Sequence, residues 1–204
     1  MLHRIVSTLI VALLLAGMAS LGPVPTAAAQ DDSRAVRELL ERRDREIKAL
    51  LGDRDTFTEA QREQLKDVIN DGIDFQSMAR GALGPFWGQI TPEQQREFVD
   101  VFSAIVRNQS LSNLNVYRAT VTYKSVDVNG DSAYVLTSTL YKDVPTDVAY
   151  VLGRSGGEWR VRDIIIDDVS TVEGYARSFQ SVIRKRGFDA LMQSLYKKLD
   201  QTKS

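Results

Sequence analysis

TVTYKSVDVNGDSAYVLTSTLYKDVPTDVAYVLGRSGGEWRVRDIII, from Thr120 to Ile166, reads with a period of two. Val121 and Tyr123, then Val126 and Val128, alternate with polar residues up to Asn129-Gly130, a pair suited to a tight hairpin turn because both residues accept positive φ. Ala133 to Tyr141 makes the return strand, Pro145 marks the next turn, and Val148, Tyr150 and Leu152 alternate again. Ser155-Gly156-Gly157 reverses the chain once more. In the last run, strict alternation puts Trp159, Val161, Asp163 and Ile165 on one face and Arg160, Arg162, Ile164 and Ile166 on the other. The pattern predicts a four-stranded antiparallel meander.

On either side of this stretch the period lengthens to that of a helix. Upstream, Val36, Leu39, Leu40, Ile47, Leu50 and Leu51 form an apolar stripe that Gly52-Asp53 ends. Thr58-Glu59-Ala60-Gln61 reads as a capping box ahead of Leu65, Val68, Ile69 and Ile73. Asp74 to Leu83 is a short third helix, broken by Gly84-Pro85. Thr91-Pro92-Glu93-Gln94 is a second capping box with Pro at the first helical position, followed by Phe98, Phe102, Ile105 and Val106. Downstream, Val172, Tyr175, Ala176, Phe179 and Val182 share one face, Gly187 caps, and Phe188, Leu191, Met192 and Leu195 resume the pattern. Helices, then strands, then helices predict an α+β fold with at least one sheet face covered by helices.

The N-terminus reads as a secretory signal over residues 1–29. His3-Arg4 precedes an apolar run from Ile5 to Ala16, and Ala27-Ala28-Ala29 offers small residues for cleavage before Gln30. The run is shorter than the ~20 residues that cross a bilayer. A mature chain of residues 30–204 is then expected in the periplasm, folded as one domain. Losing Arg4 with the signal leaves 25 basic against 27 acidic residues, a near-neutral balance that gives no argument for nucleic acid.

Composition also narrows the chemistry. The only histidine is His3 and there is no cysteine, so the mature chain has no Ser-His-Asp triad, thiol nucleophile or His/Cys metal site. Asp167-Asp168 lies at a strand end and reads as a solvated turn ahead of a helix cap near Ser170. Asp163, on the face of Trp159 and Val161, must be hydrogen-bonded or paired if buried, and a structural ion pair is the first expectation. Gly81, Gly84 and Gly88 follow no strand, so they read as helix breaks and close packing rather than a phosphate loop. Arg184-Lys185-Arg186 and Lys197-Lys198 read as solvated helix faces, with an anionic membrane surface as the alternative. The large side chains, among them Met78, Leu83, Phe86, Trp87, Phe98, Phe102, Tyr150, Tyr175 and Phe179, either fill a core or line a cavity for an apolar ligand.

The run IDFQSMARGALGPFWGQITPEQQREFVDVF, Ile73 to Phe102, resembles the periplasmic phospholipid-binding proteins of the Mla pathway, also called toluene-tolerance auxiliary proteins. The family's pattern is carried by Asp74-Phe75 (in reversed order), Met78-Ala79, Leu83-Gly84, Trp87, Thr91-Pro92, Gln95, Phe98 and Phe102. A second block adds Tyr150 and then Trp159, Val161, Asp163, Val169, Ser170, Tyr175, Phe179 and Gly187. The resemblance implies an α+β fold with a hydrophobic pocket between a curved sheet and helices. It implies a carrier without catalysis or cofactor, whose cargo is phospholipid held by its acyl chains. The implied partners are an inner-membrane MCE-domain protein of an ABC transporter and an outer-membrane lipoprotein complex. Some relatives sit with hopanoid genes, so a hopanoid or another apolar ligand is an alternative cargo.

A carrier of this kind needs a pocket, a gate and docking surfaces. Its expected wall is Met78, Leu83, Phe102, Val148, Tyr150, Ile164, Ile166, Val172 and Tyr175, with Ile165 replacing Ile164 and Ile166 if the strand presents its other face. The rival readings are an isomerase or dehydratase on a similar scaffold, using Asp163 and a tyrosine as acid and base, and an interaction module with a solid core.

Overall fold

The structure is a computed structural model and describes residues 27–202. The expected signal lies outside them except for its last three positions, which open the first helix. Four helices come first: α1 (Ala27–Leu51), α2 (Glu59–Asn70), α3 (Phe75–Leu83) and α4 (Pro92–Gln109). Single 3-10 segments at Gly84–Gln89 and Leu114–Arg118 lead into and out of α4. A sheet follows, with β1 (Thr120–Asn129), β2 (Ser132–Tyr141), β3 (Val144–Ser155), β4 (Glu158–Ile166) and β5 (Val169–Ser170). Helices α5 (Thr171–Arg186) and α6 (Phe188–Thr202) complete the α+β fold.

Every strand pairs antiparallel with its neighbour in sequence, in the order β1-β2-β3-β4-β5. The sheet therefore has five strands where alternation predicts four; the fifth is two residues long and has no periodicity to read. Both predicted capping boxes form: Thr58 and Thr91 each accept from the N–H three residues on, and Gln61 and Gln94 reach back to the cap N–H.

Two turns differ from expectation. Asn129 pairs with Ser132, so the first turn is Gly130-Asp131, with Gly130 at φ 56°. The second is Lys142-Asp143, at φ 49° and 60°, and Pro145 lies inside β3 opposite Leu140. In a two-residue hairpin closed by Tyr141 and Val144, the next N–H of β3 points away from β2. Pairing with β4 starts only at Val148, so the missing proline N–H removes no ladder bond.

The largest departure is in β4. Leu152 pairs with Val161 but Val151 pairs with Asp163, so Arg162 is an extra residue, a β-bulge. The bulge resets the alternation. Trp159 and Val161 face inward before it; Ile164 and Ile166, opposite Tyr150 and Val148, face the same way after it. Strict alternation had split these four between two faces. The Arg162 guanidinium lies across Gly153, where a Cβ would collide with it. It donates to the Arg154 carbonyl at 2.8 Å and sits 3.6 Å from the Asp74 carboxylate. At the same place Val161 exchanges backbone bonds with the α2–α3 link, donating to Gly72 O and accepting from Asp74 N, each 2.8 Å. The bulge thus docks α3 against the sheet edge.

The core has three parts. Helices α3 to α6 meet around Met78, Leu83, Phe98, Phe102, Phe179 and Leu191. The inward face of the sheet packs Val135, Leu152, Trp159 and Val161 against Val36 of α1. Ile47, Leu51, Leu65, Leu111 and Leu114 join α1 to α2 and the segment after α4. Arg154 stacks on Trp159 at 4.6 Å and pairs with Asp32, pinning the start of α1 to the sheet. Gly81 permits a close approach of α3 to α5: a Cβ there would meet Val172 of α5 at 2.7 Å.

Candidate functional site

The end of β4 sets the position of α5. Asp167 and Asp168 form a two-residue turn at φ 45° and 63°, a region that aspartate tolerates better than most residues. The turn is tied to β3: Asp167 N donates to Asp147 O at 2.9 Å, and Asp147 N donates to the Asp167 carboxylate at 3.1 Å. Ser170 then caps α5, its Oγ accepting from Glu173 N at 3.0 Å. The same hydroxyl donates to Asp163 Oδ2 at 2.5 Å, while Asp163 Oδ1 accepts from Val172 N and Ile164 N at 3.0 and 2.9 Å. Asp163 is therefore held by hydrogen bonds to the helix start and not by the expected ion pair. Both of its oxygens are engaged in positioning α5.

Between this corner and helices α4 and α6 lies a cavity of about 710 Å³ that opens to solvent. Phe102, Ile105 and Gln109 of α4 form one wall, and Ile166 and Val169 the sheet edge. Gly174, Tyr175, Ser178 and Phe179 come from α5, and Leu195 and Lys198 from α6. The lining is mainly apolar, and the volume falls within the ~300–1,000 Å³ of small-molecule sites. Gly174 has nothing within 4 Å of a notional Cβ, so this helix face is what leaves room.

The aromatic side of the cavity is rigid. Tyr175 meets Phe102 edge-on at 5.0 Å, and Phe179 meets Phe102 edge-on at 6.1 Å, contacts worth roughly 0.5–1.5 kcal/mol each beyond their buried area. The Tyr175 hydroxyl donates to Gln109 Oε1 at 3.0 Å, bridging α5 to α4. Burial pushes the Tyr175 phenol above its ordinary value, so the proton that makes this bond stays on. At the mouth, Ile166 and Val169 are 48% and 58% exposed.

Three of the nine expected wall residues, Phe102, Ile166 and Tyr175, line this cavity. Met78 and Leu83 are sealed in the helical core at 2% and 0% exposure, and Val172 packs beside them. Val148, Tyr150 and Ile164 share the inward face of the sheet, and Tyr150 and Ile164 pack against the α1 side. There burial, with the Asp44 charge, raises the Tyr150 phenol. Tyr117 is pushed up to about 12, chiefly by burial, and its hydroxyl donates to Ser110 O at 3.1 Å. Ile105, Gln109, Val169, Gly174, Ser178, Phe179, Leu195 and Lys198 were outside the expected wall. Small residues one turn apart, Gly174 and Ser178, were the available signal for a helix face that leaves space.

Arg184, Lys185 and Arg186 are exposed at the C-terminal end of α5, where cations favour the helix dipole. Among the described residues, no helix is long and apolar enough to cross a membrane.

A family model described as MlaC protein matches residues 42–197. Among solved structures, the phospholipid-binding protein of Ralstonia solanacearum, determined in complex with a phospholipid, is similar at 29% identity with a TM-score of 0.70. The match covers 84% of this chain and 98% of that one. No curated protein sequence matches the chain.

Proposed function

Because the chain belongs to the MlaC protein family, we propose that it is a phospholipid carrier of the periplasm. It takes up acyl chains in the cavity between β4–β5 and helices α4, α5 and α6, and leaves the headgroup at the mouth. It shuttles lipid between an outer-membrane lipoprotein complex and the MCE-domain protein of an inner-membrane ABC transporter. The observation that carries this reading is the open cavity of about 710 Å³ with its mainly apolar lining. The solved relative with a bound phospholipid supports the choice of cargo.

The physics suits a carrier. Burying a methylene is worth ~0.8 kcal/mol against water, so a chain in the cavity escapes into water very slowly. Against a bilayer the chain exchanges one hydrocarbon phase for another and gains almost nothing. Loading and release are then decided by fit and by what docks at the mouth. Acid–base catalysis by Asp163 is disfavoured, because both its oxygens hold the start of α5.

Mass spectrometry of organic extracts from the purified chain, beside a native mass spectrum, tests the proposal. The expected result is one phospholipid per chain. A stoichiometric hopanoid would change the cargo, and a native mass of bare protein with a lipid-free extract would overturn the carrier reading.

A further inference from the structure

The polar side chains that line the cavity leave donors over and no acid to take them. Ser170 Oγ is engaged with Asp163, Thr171 Oγ1 donates to Ile164 O at 2.7 Å, and the Tyr175 hydroxyl donates to Gln109 Oε1. The Lys198 ammonium, the Ser178 hydroxyl and the Gln109 amide nitrogen donate to nothing among the described residues. None of the described lining residues is a carboxylate, and Lys198 is the one charged group among them.

Acids on the neighbouring elements are turned elsewhere. Asp147, Asp167 and Asp168 line a separate groove with Tyr134 and Leu136, on the opposite face of the sheet. Glu173 of α5 lies 3.7 Å from Arg177, and Glu97 of α4 accepts from the Tyr196 hydroxyl at 2.5 Å. Lys198 is exposed but stands one turn after the buried Leu195, which lines the same cavity. Its stem can therefore lie along the apolar lining while the ammonium reaches water at the mouth. Lys197, its neighbour in sequence, is equally exposed and lines no part of the cavity.

Resting on the carrier reading, we propose that Lys198, aided by the Ser178 hydroxyl on the neighbouring helix, reads the phosphate of the cargo and makes the cavity select phosphate-bearing lipids over phosphate-free lipids with the same tails. With acyl chains against the apolar lining, the first charged group beyond the glycerol is the phosphate. An ammonium and a hydroxyl with no protein acceptor suit its oxygens. Lysine meets a phosphate as a point charge and imposes no fixed fork geometry. The contact therefore tolerates different headgroups and recognises what they share. A diacylglycerol or a polycyclic apolar ligand fits the same walls but offers the cation nothing.

A competition between two lipids tests this. The delipidated chain is incubated with vesicles holding equal amounts of dioleoylphosphatidylglycerol and dioleoylglycerol, and the bound lipids are extracted from the re-isolated protein and counted by mass spectrometry. The tails are identical, so the ratio of the two reports the headgroup alone. In Lys198→Met, which keeps the stem and removes the charge, the ratio of phospholipid to diacylglycerol is expected to fall about fivefold, the upper range for an exposed ion pair. Lys198→Arg should restore the wild-type ratio, and Lys197→Met should leave it unchanged. A wild-type ratio in Lys198→Met overturns the proposal, as does an equal fall in Lys197→Met, which would make the effect one of general surface charge. Total bound lipid separates this from the carrier reading. Normal loading with an unaltered ratio removes Lys198 and leaves the carrier; a wild-type chain that takes up neither lipid overturns both.

Discussion

Gly174 and Tyr175, neighbours on α5, separate capacity from stability. At Gly174 the cavity side is open, so Gly174→Phe is expected to fill it. The substitution also removes a glycine from a helix interior, worth up to ~1 kcal/mol. Co-purified phospholipid should fall at least about tenfold, while the melting temperature of the delipidated protein holds or rises against delipidated wild type, read by extract mass spectrometry and calorimetry. Tyr175→Phe keeps the ring against Phe102 but leaves Gln109 without its donor. A loss of about 0.5–1.5 kcal/mol in denaturant unfolding, with lipid load retained, is expected. Ser170 serves both α5 and Asp163, so Ser170→Ala should cost about 1–2 kcal/mol by the same measurement. These roles were unevenly legible. The Ser170 cap was readable because capping chemistry is local, whereas the Gln109–Tyr175 bond spans 66 residues and leaves no local trace.

Helices and strands were legible to the extent that their signals are their own. The capping boxes at Thr58 and Thr91 and the stop at Gly187 depend on residues within a turn of each other, and each was read correctly. The hairpin at Lys142-Asp143 was misplaced because two non-glycine residues take positive φ while a proline nearby advertises a turn. The bulge at Arg162 had no local signal. It depends on Gly153 leaving room for the guanidinium, on the Arg154 carbonyl, and on α3 docking at Val161, all remote in sequence. Missing it splits Trp159 and Val161 from Ile164 and Ile166. The α3–α5 crossing is legible only as a glycine, Gly81, whose reason is the 2.7 Å approach to Val172. Valine is stiff about χ1, so Gly81→Ala should force the helices apart and cost about 1–2 kcal/mol despite the better helix former, measured by urea denaturation.

Taken as a whole molecule, the α+β layout and its sheet–helix packing followed from the change of period at Thr120, because burying an amphipathic sheet face needs helices. The cavity did not follow from periodicity, since a residue facing a void and one facing a neighbour obey the same spacing; Met78 and Leu83 show the confusion. The overall response to pH follows from the buried phenols of Tyr117, Tyr123, Tyr150 and Tyr175, all raised chiefly by burial. Above about pH 10 the unfolded chain releases phenolic protons that the folded chain keeps, so stability falls as pH rises. The described residues include no histidine, so the melting temperature should be level from about pH 6 to 9 and decline beyond about 10, while unfolding there releases phenolate absorbance that rises at 295 nm.

The strict neighbour-to-neighbour order of the sheet also bears on how the chain assembles. Contacts local in sequence form early, so the meander can close hairpin by hairpin as the polypeptide arrives. The chamber, in contrast, draws its lining from Phe102 onward and is closed only by Leu195 and Lys198 near the C-terminus. A chain that emerges N-terminus first therefore has its sheet before it has a hold for cargo. It finishes synthesis empty, and its first lipid is taken by a completed molecule.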